Sequence, residues 1–419
     1  MKILNIMNFS NNGKTLLSNI FYLFVSQGIN YLLPFLTIPY LFRVLGADLY
    51  GVIASTYSYY ILISIIINFG YEYYATRQIS LNTDNKEEID KIVSETIIAK
   101  MIILLICIIA TIIITNIVPN FQAHKNIFYW MMGVPIGTCF FSIWFFQGIQ
   151  QMKFVTIVSS TTKLLSFLPM FIFVKSESDD YIVPICYSMG FMISGGLSLY
   201  LIRFRFNVRF INVGAFRVWN SLKESSLFCL SRISASLYST GTTVILNAIC
   251  GNAISGYYDI AIKIVNVFTQ LMSPINQALY PYMVKCNNTV LMKRIVKVSS
   301  ACGFVLFILL QFSAPVLMQL LFNVNNAIVI NTFRILNLLL LFVAPSYLMG
   351  YPLLAARGHD RLVNIAVITA AFIYVFIVGA LYLFGYINIY TMSVAYLMCE
   401  FYVFATRVYG VKKYHLLKA

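Results

Sequence analysis

Asp259, Lys263, Asn266, Gln270, Ser273 and Gln277 recur at spacings of 4, 3, 4, 3 and 4 through an otherwise apolar stretch from about Ser255 to Met283. On a helix these spacings set all six side chains on one face. The set offers a carboxylate, an ammonium, amides and a hydroxyl, which can hold a polar or charged solute by hydrogen bonds and ion pairs. The stretch is long enough to cross a bilayer, where one ionisable group at the centre costs about 2.5 to 3.5 kcal/mol on insertion scales. The stripe is therefore expected to face water or substrate as one wall of a polar passage.

Other polar sets fall within apolar runs. Arg232, Ser236, Ser239, Thr243 and Asn247 share one helical face, and Asn19, Ser26, Gln27, Asn30 and Thr37 lie in the first run. Small hydroxyl side chains also make ordinary helix contacts in membranes, whereas a cation at the depth of Arg232 needs an anion or water. Eight ionisable residues fall in or near expected spans: Glu72, Lys100, Lys163, Arg232, Asp259, Lys263, Arg334 and Glu400. Asp259 and Lys263, four apart, either pair along their helix or open to admit an anionic group. Lys100 and Lys163 are expected to snorkel to an interface. That leaves Arg232, Lys263 and Arg334, with the amides Asn30, Asn266 and Gln270, as candidates for substrate contact. Glu72, Asp259 and Glu400 are the candidates for coupling transport to an ion.

The elements that must position these residues are membrane helices. Mean hydropathy is +0.81 and only 10% of residues are charged, against roughly a quarter in soluble domains. Runs such as Met101 to Thr115 are apolar on every side, which excludes the ten-residue alternation of a membrane β-barrel. Cutting at polar loops predicts an all-α polytopic protein of twelve spans. They run over about 16–42, 50–74, 93–116, 127–147, 154–174 and 181–202, then 225–249, 255–284, 298–322, 328–354, 362–384 and 388–408. The expected organisation is an N-terminal six-helix bundle (1–202), a basic connector (203–223) and a C-terminal six-helix bundle (224–419). Tails and even-numbered connections hold 21 Lys and Arg against 3 in the odd-numbered ones, so both termini are expected in the cytoplasm. The connector, with its RFRFNVRF run, reads best as a surface segment whose arginines meet anionic headgroups, ahead of a nucleic-acid sensor.

The halves echo each other. LGADLYG (Leu45 to Gly51) and CGNAISG (Cys250 to Gly256) each place two glycines five residues apart after the first helix of their half. A shift of 205 residues superposes Gly46 on Gly251 and Gly51 on Gly256. Duplicated halves with substrate bound between them are a transporter signature. The eight cysteines are single and without CxxC spacing, hence reduced packing residues. His124, His359 and His415 lie far apart, so no metal site is expected, and no P-loop, nucleotide-binding unit or GxSxG motif calls for a cofactor.

Several motifs carry a family likeness: LTIPYLFRVLGADLYGVIA (Leu36 to Ala54), FGYEYYATRQIS (Phe69 to Ser80), WFFQGIQQMKFV (Trp144 to Val155), TVILNAICGNAISGYYDIAIKIV (Thr243 to Val265) and LAARGHDR (Leu354 to Arg361). In this order they resemble the polysaccharide-export proteins that flip lipid-linked O-antigen units, a branch of the multidrug, oligosaccharidyl-lipid and polysaccharide exporter superfamily. The resemblance implies two pseudo-symmetric six-helix bundles around a central cationic cavity. It also implies an undecaprenyl-diphosphate-linked oligosaccharide as substrate, moved from the cytoplasmic to the outer leaflet of the bacterial inner membrane. The implied partners are that substrate, membrane lipids and other polysaccharide-assembly proteins, with no nucleic acid. By motif position, Arg43, Arg77 and Lys263 match recurrent basic positions of the family, while Asn68 stands where relatives often carry an acidic or amide residue. Two other functions are weighed. A cation-coupled multidrug exporter would favour carboxylates in the lumen, against the five cations and three carboxylates here. A membrane polymerase or glycosyltransferase would need a large external loop or catalytic domain, and no connection exceeds roughly twenty residues.

Overall fold

The computed structural model describes residues 11–416 apart from 271, 273–274, 277–278, 280–282 and 284–288, and omits the side chains of 11–27, 30–31, 227, 231 and 270. The described helices are α1 (Asn11–Asn68), α2 (Tyr71–Leu81), α3 (Lys86–Ile117), α4 (Pro119–Ala123), α5 (Lys125–Met131), α6 (Gly133–Phe140), α7 (Ile143–Gly148), α8 (Met152–Phe173) and α9 (Ile182–Tyr200). They continue with α10 (Ala215–Ser239), α11 (Gly241–Cys250), α12 (Asn252–Gln270), α13 (Thr289–Phe322), α14 (Ala327–Asn337), α15 (Leu340–Leu348), α16 (Asp360–Leu383) and α17 (Ile389–Lys413). No strand occurs among the described residues.

Nine described helical stretches are long and apolar enough to span a membrane, and a bent pair, Phe228–Ser239 with Gly241–Cys250, makes a tenth. The twelve expected spans are compatible with this. The first two meet within Leu32–Leu81, at the kink of Gly46, and the eighth expected span includes residues past Gln270 that lie mostly outside those described. The outward faces are apolar: Leu105, Ile109 and Ile113 on α3, Phe312 and Val316 on α13, and Phe372 and Phe376 on α16 are all exposed. A helix with an apolar exterior and its backbone bonds closed internally is what hydrocarbon demands.

Breaks in these helices fall on residues that can accommodate them. Gly46 (φ 73°, ψ 175°) interrupts α1, and Gly251 (φ 94°, ψ 175°) separates α11 from α12. Both occupy a region of backbone space open essentially only to glycine. The duplicated glycines of the sequence therefore share one backbone geometry. Their partners five residues on meet across a close contact: a Cβ on Gly51 would stand 1.8 Å from the Asn252 carbonyl oxygen, and one on Gly256 would stand 2.7 Å from that of Ala47. Ala47 and Asn252 are themselves related by the same shift, so the contact has local twofold symmetry. The seventh expected span bends by 46° at Thr240, within the run Ser239-Thr240-Gly241-Thr242-Thr243, whose glycine and backbone-bonding hydroxyls weaken the helical ladder.

Two compact units result. The first comprises Met1–Thr37, Ile63–Ile117 and Lys125–Cys229, and the second comprises Ile38–Leu62, Val118–His124 and Leu230–Ala419. In the first, two of the sequence motifs pack on each other. Phe69 and Gly70 take positive φ to end α1, after which Thr76 Oγ1 donates to the Trp144 carbonyl at 3.1 Å and Ser80 Oγ to that of Gly148 at 3.0 Å. Tyr71, Ala75, Ile79, Trp144, Phe145 and Phe146 share the core there.

The connector is built in rather than loose. The Asp90 carboxylate accepts from the Arg209 N–H and the Ser94 hydroxyl from that of Ile211, both at 2.9 Å, and Arg217 ion-pairs with Glu88 and Glu95. Burial works against the Arg217 charge, but the two carboxylates hold its guanidinium above the ordinary value.

The glycine contact yields a direct expectation. Gly51→Ala should lower the thermal midpoint of the detergent-solubilised protein by the equivalent of about 1–3 kcal/mol of overpacking, whereas Gly379→Ala, which meets nothing within 4 Å, should leave it unchanged or slightly raised.

Candidate functional site

A cavity of about 520 Å³ lies within the second unit. Its walls come from the second part of α1 (Tyr57, Ser58, Ile61), from α10 and α11 (Tyr238, Thr243), from α12, from the segment running from Leu339 through α15 to Tyr351 (with Ser346), from α16 (Val367) and from α17 (Tyr396, Glu400, Arg407). The volume suits a small polar ligand.

The polar stripe of α12 forms one wall. Asp259, Lys263 and Asn266 line the cavity together with Thr269 and Asn276. Side chains of Gln270, Ser273 and Gln277 lie outside the described residues. Asp259 is only 2% exposed, and its Oδ2 accepts from the Tyr50 hydroxyl at 2.6 Å and from Lys263 Nζ at 2.6 Å. Lys263 also lies over the Tyr50 ring, 5.9 Å from its centroid. A carboxylate this deep is tolerated because two donors meet it. Tyr50 belongs to the LGADLYG motif and Asp259 to the YYDIAIK run, so two segments of family likeness close on one ion pair.

A second charged group comes from α17. Glu400 lies near the middle of the Ile389–Lys413 span, and Arg407, two turns on, shares its face. Arg407 Nη1 donates to the Ser346 carbonyl at 3.1 Å and to its hydroxyl at 3.0 Å, while Arg407 Nε has no partner among the described residues. Space for the guanidinium exists because residue 350 is glycine, where a Cβ would stand 3.2 Å from Arg407 Cζ. Residues Met349–Leu354 wind as a π-helix around Pro352, an irregularity common where helices build binding sites.

The remaining candidates are dispersed. Arg232 is exposed and Arg334 half-buried, and neither lines this cavity. Arg43, also exposed, donates to the Leu320 carbonyl. In the first unit, Glu72 and Arg77 share a shallow depression with Tyr73, Thr76 and Gln147. Asn30's side chain is outside the described set. Lys100 does not reach an interface: it is fully buried and donates to the Thr138 carbonyl at 3.0 Å. Lys163 is half-buried over the Phe167 ring.

Arg407, at the end of the last expected span (388–408) and one of the 21 Lys and Arg of the charge count, has its side chain in the cavity wall; the asymmetry of the loops survives its removal. The signal that could have found it is its spacing of seven from Glu400, which puts both on one helix face. The cavity tyrosines, Tyr57, Tyr238, Tyr347, Tyr351 and Tyr396, carried no such signal in a chain with 29 tyrosines.

Comparison with known proteins agrees with this architecture. Residues 16–287 match the family model described as polysaccharide biosynthesis protein. A protein of Escherichia coli (strain K12) provisionally named as an O-antigen transporter is 30% identical over 331 residues, covering 76% of this chain and 79% of its own. A Shigella dysenteriae protein of the same provisional name is 32% identical over 273 residues, covering 64% and 67%. Among solved structures, an inward-facing multidrug resistance MATE family transporter of the MOP superfamily superposes with a TM-score of 0.70 at 12% identity, covering 96% of this chain and 99% of that one. The matched stretch includes the paired glycines and the Asp259–Lys263 wall, and the chain belongs to the polysaccharide biosynthesis protein family, built on the fold of the MATE transporters.

Proposed function

We propose that this protein is a flippase for undecaprenyl-diphosphate-linked oligosaccharide, the repeat unit of O-antigen or a similar polysaccharide, and that it works by alternating access. The observation that carries this reading is a cavity lined by charged and polar side chains and walled by helices whose outer faces are apolar. A sugar chain exposes hydroxyls that hydrocarbon cannot satisfy, and a diphosphate is anionic, so both need a polar route while the prenyl tail stays in lipid. The provisional names of the relatives point the same way.

The diphosphate would be neutralised by cations outside this cavity, Arg43, Arg77, Arg232 and Arg334, since arginine grips a phosphate through two parallel hydrogen bonds, and Lys263 inside it would contact the substrate's polar groups. The excess of Lys and Arg in tails and even-numbered connections supports cytoplasmic termini, and transport would run toward the periplasmic leaflet of the bacterial inner membrane, as for the family resembled. The six-helix halves, 1–202 and 224–419, would be the moving bodies, and the paired glycines are placed where the chain can bend.

Proteoliposomes loaded with the lipid-linked oligosaccharide of the source organism test the reading. The intact protein should flip it, and Lys263→Ala should reduce the rate by about tenfold or more, the loss of a charged contact. Absence of flipping, with efflux of a cationic drug or chain polymerisation in its place, would transfer the protein to another class.

A double-mutant cycle separates structure from function at the same pair. Lys263→Gln leaves a buried carboxylate with Tyr50 as its remaining donor and should cost on the order of 3 kcal/mol in stability. Adding Asp259→Asn should recover much of that loss in the thermal midpoint, without restoring flipping.

A further inference from the structure

The cavity of the second unit is balanced in charge, with Asp259 and Glu400 set against Lys263 and Arg407. Both cations are engaged: Lys263 by Asp259 at 2.6 Å, and Arg407 by the carbonyl and hydroxyl of Ser346. The wall also holds the amides Asn266 and Asn276 and the hydroxyls of Ser239, Thr240 and Thr243. Amides and hydroxyls each offer donors and acceptors, so the wall is matched to a ligand that both donates and accepts.

A hydroxyl does both from one oxygen, whereas a diphosphate esterified at both ends only accepts and would be brought against two carboxylates. The half-buried Tyr57 and Tyr347 and the exposed Tyr351 add apolar ring surface with polar tips to the same wall. That combination suits a sugar, whose ring faces are apolar and whose rim is hydroxyl.

We infer that this cavity is a saccharide subsite: it takes the uncharged, hydroxyl-rich part of the lipid-linked substrate, and the diphosphate binds outside it. Glu400 accepts from sugar hydroxyls, the Asn266 and Asn276 amides donate to them, and Tyr347 packs on a ring face. The inference rests on the flippase reading.

Two soluble probes in calorimetric titrations of the nanodisc-reconstituted protein test it: the oligosaccharide released from its lipid by mild acid, and inorganic pyrophosphate. The released oligosaccharide should bind, and both Tyr347→Ala and Glu400→Gln should weaken it by about tenfold, the loss of one packed ring or one charged hydrogen bond. Tyr347→Phe should retain binding. Pyrophosphate affinity should not fall in either variant and should not compete with the oligosaccharide. The inference is overturned if the intact protein flips the lipid-linked substrate yet does not bind the released sugar, or if pyrophosphate competes for the cavity. If the intact protein flips nothing, the flippase reading itself fails. Glu400→Gln changes almost no volume, so it carries the comparison should Tyr347→Ala not fold.

Discussion

A carboxylate cannot sit among apolar helices without donors, and the second unit is organised around meeting that demand at Asp259. The residue is almost wholly buried, and it is held from one side by Lys263 on its own helix and from the other by Tyr50 on α1. The desolvation cost of such a group is several kcal/mol and is offset only by close, well-directed partners. Tyr50 can reach Asp259 only because α1 approaches α12 closely, and that approach needs glycine at 51 and 256. The ion pair, the glycine contact and the polar wall of the cavity are thus one construction.

Irregular backbone recurs wherever this construction needs a side chain to be aimed. Gly46 and Gly251 break the helices on either side of the close contact with matching torsions. The π-helix at Met349–Leu354 follows Ser346, whose carbonyl and hydroxyl receive Arg407. Most helix carbonyls are already engaged by i to i−4 bonds, so a guanidinium within a bundle is best met by a second lone pair together with hydroxyls and local departures from the regular ladder.

Much of this was legible from residue order. Apolar run lengths specify a polytopic helical protein because hydrocarbon permits little else, and the 4-3 spacing from Asp259 to Asn266 locates the wet face of α12 because a helix turns every 3.6 residues. The duplicated glycines announced duplicated halves, and their shared backbone torsions emerge only in the structure, at positions where only glycine tolerates them. The break between the first two expected spans falls in the LGADLYG loop, where a single non-helical residue, Gly46, makes the kink, so what was not legible is how short that loop is. Arg407 was not legible as a cavity residue either. Near the end of a span, a flanking cation and an inward-facing one look alike, and the Ser346 and Gly350 that receive it lie about sixty positions away. Motif residues such as Thr76, Ser80 and Gly148 turned out to serve helix contact in the first unit, where their polarity alone suggested no role.

The central claim is that the second unit's cavity is a water-filled path occupied by substrate. The most direct measurement is thiol labelling in native membranes of Asn266→Cys, in a background with the natural cysteines replaced, using a membrane-impermeant polar reagent with and without added lipid-linked oligosaccharide. The account predicts labelling at position 266 that the substrate suppresses, and none at Leu309→Cys on the lipid-facing side of α13. Labelling at 266 that is absent, or that is indifferent to saturating substrate while transport proceeds, would contradict it.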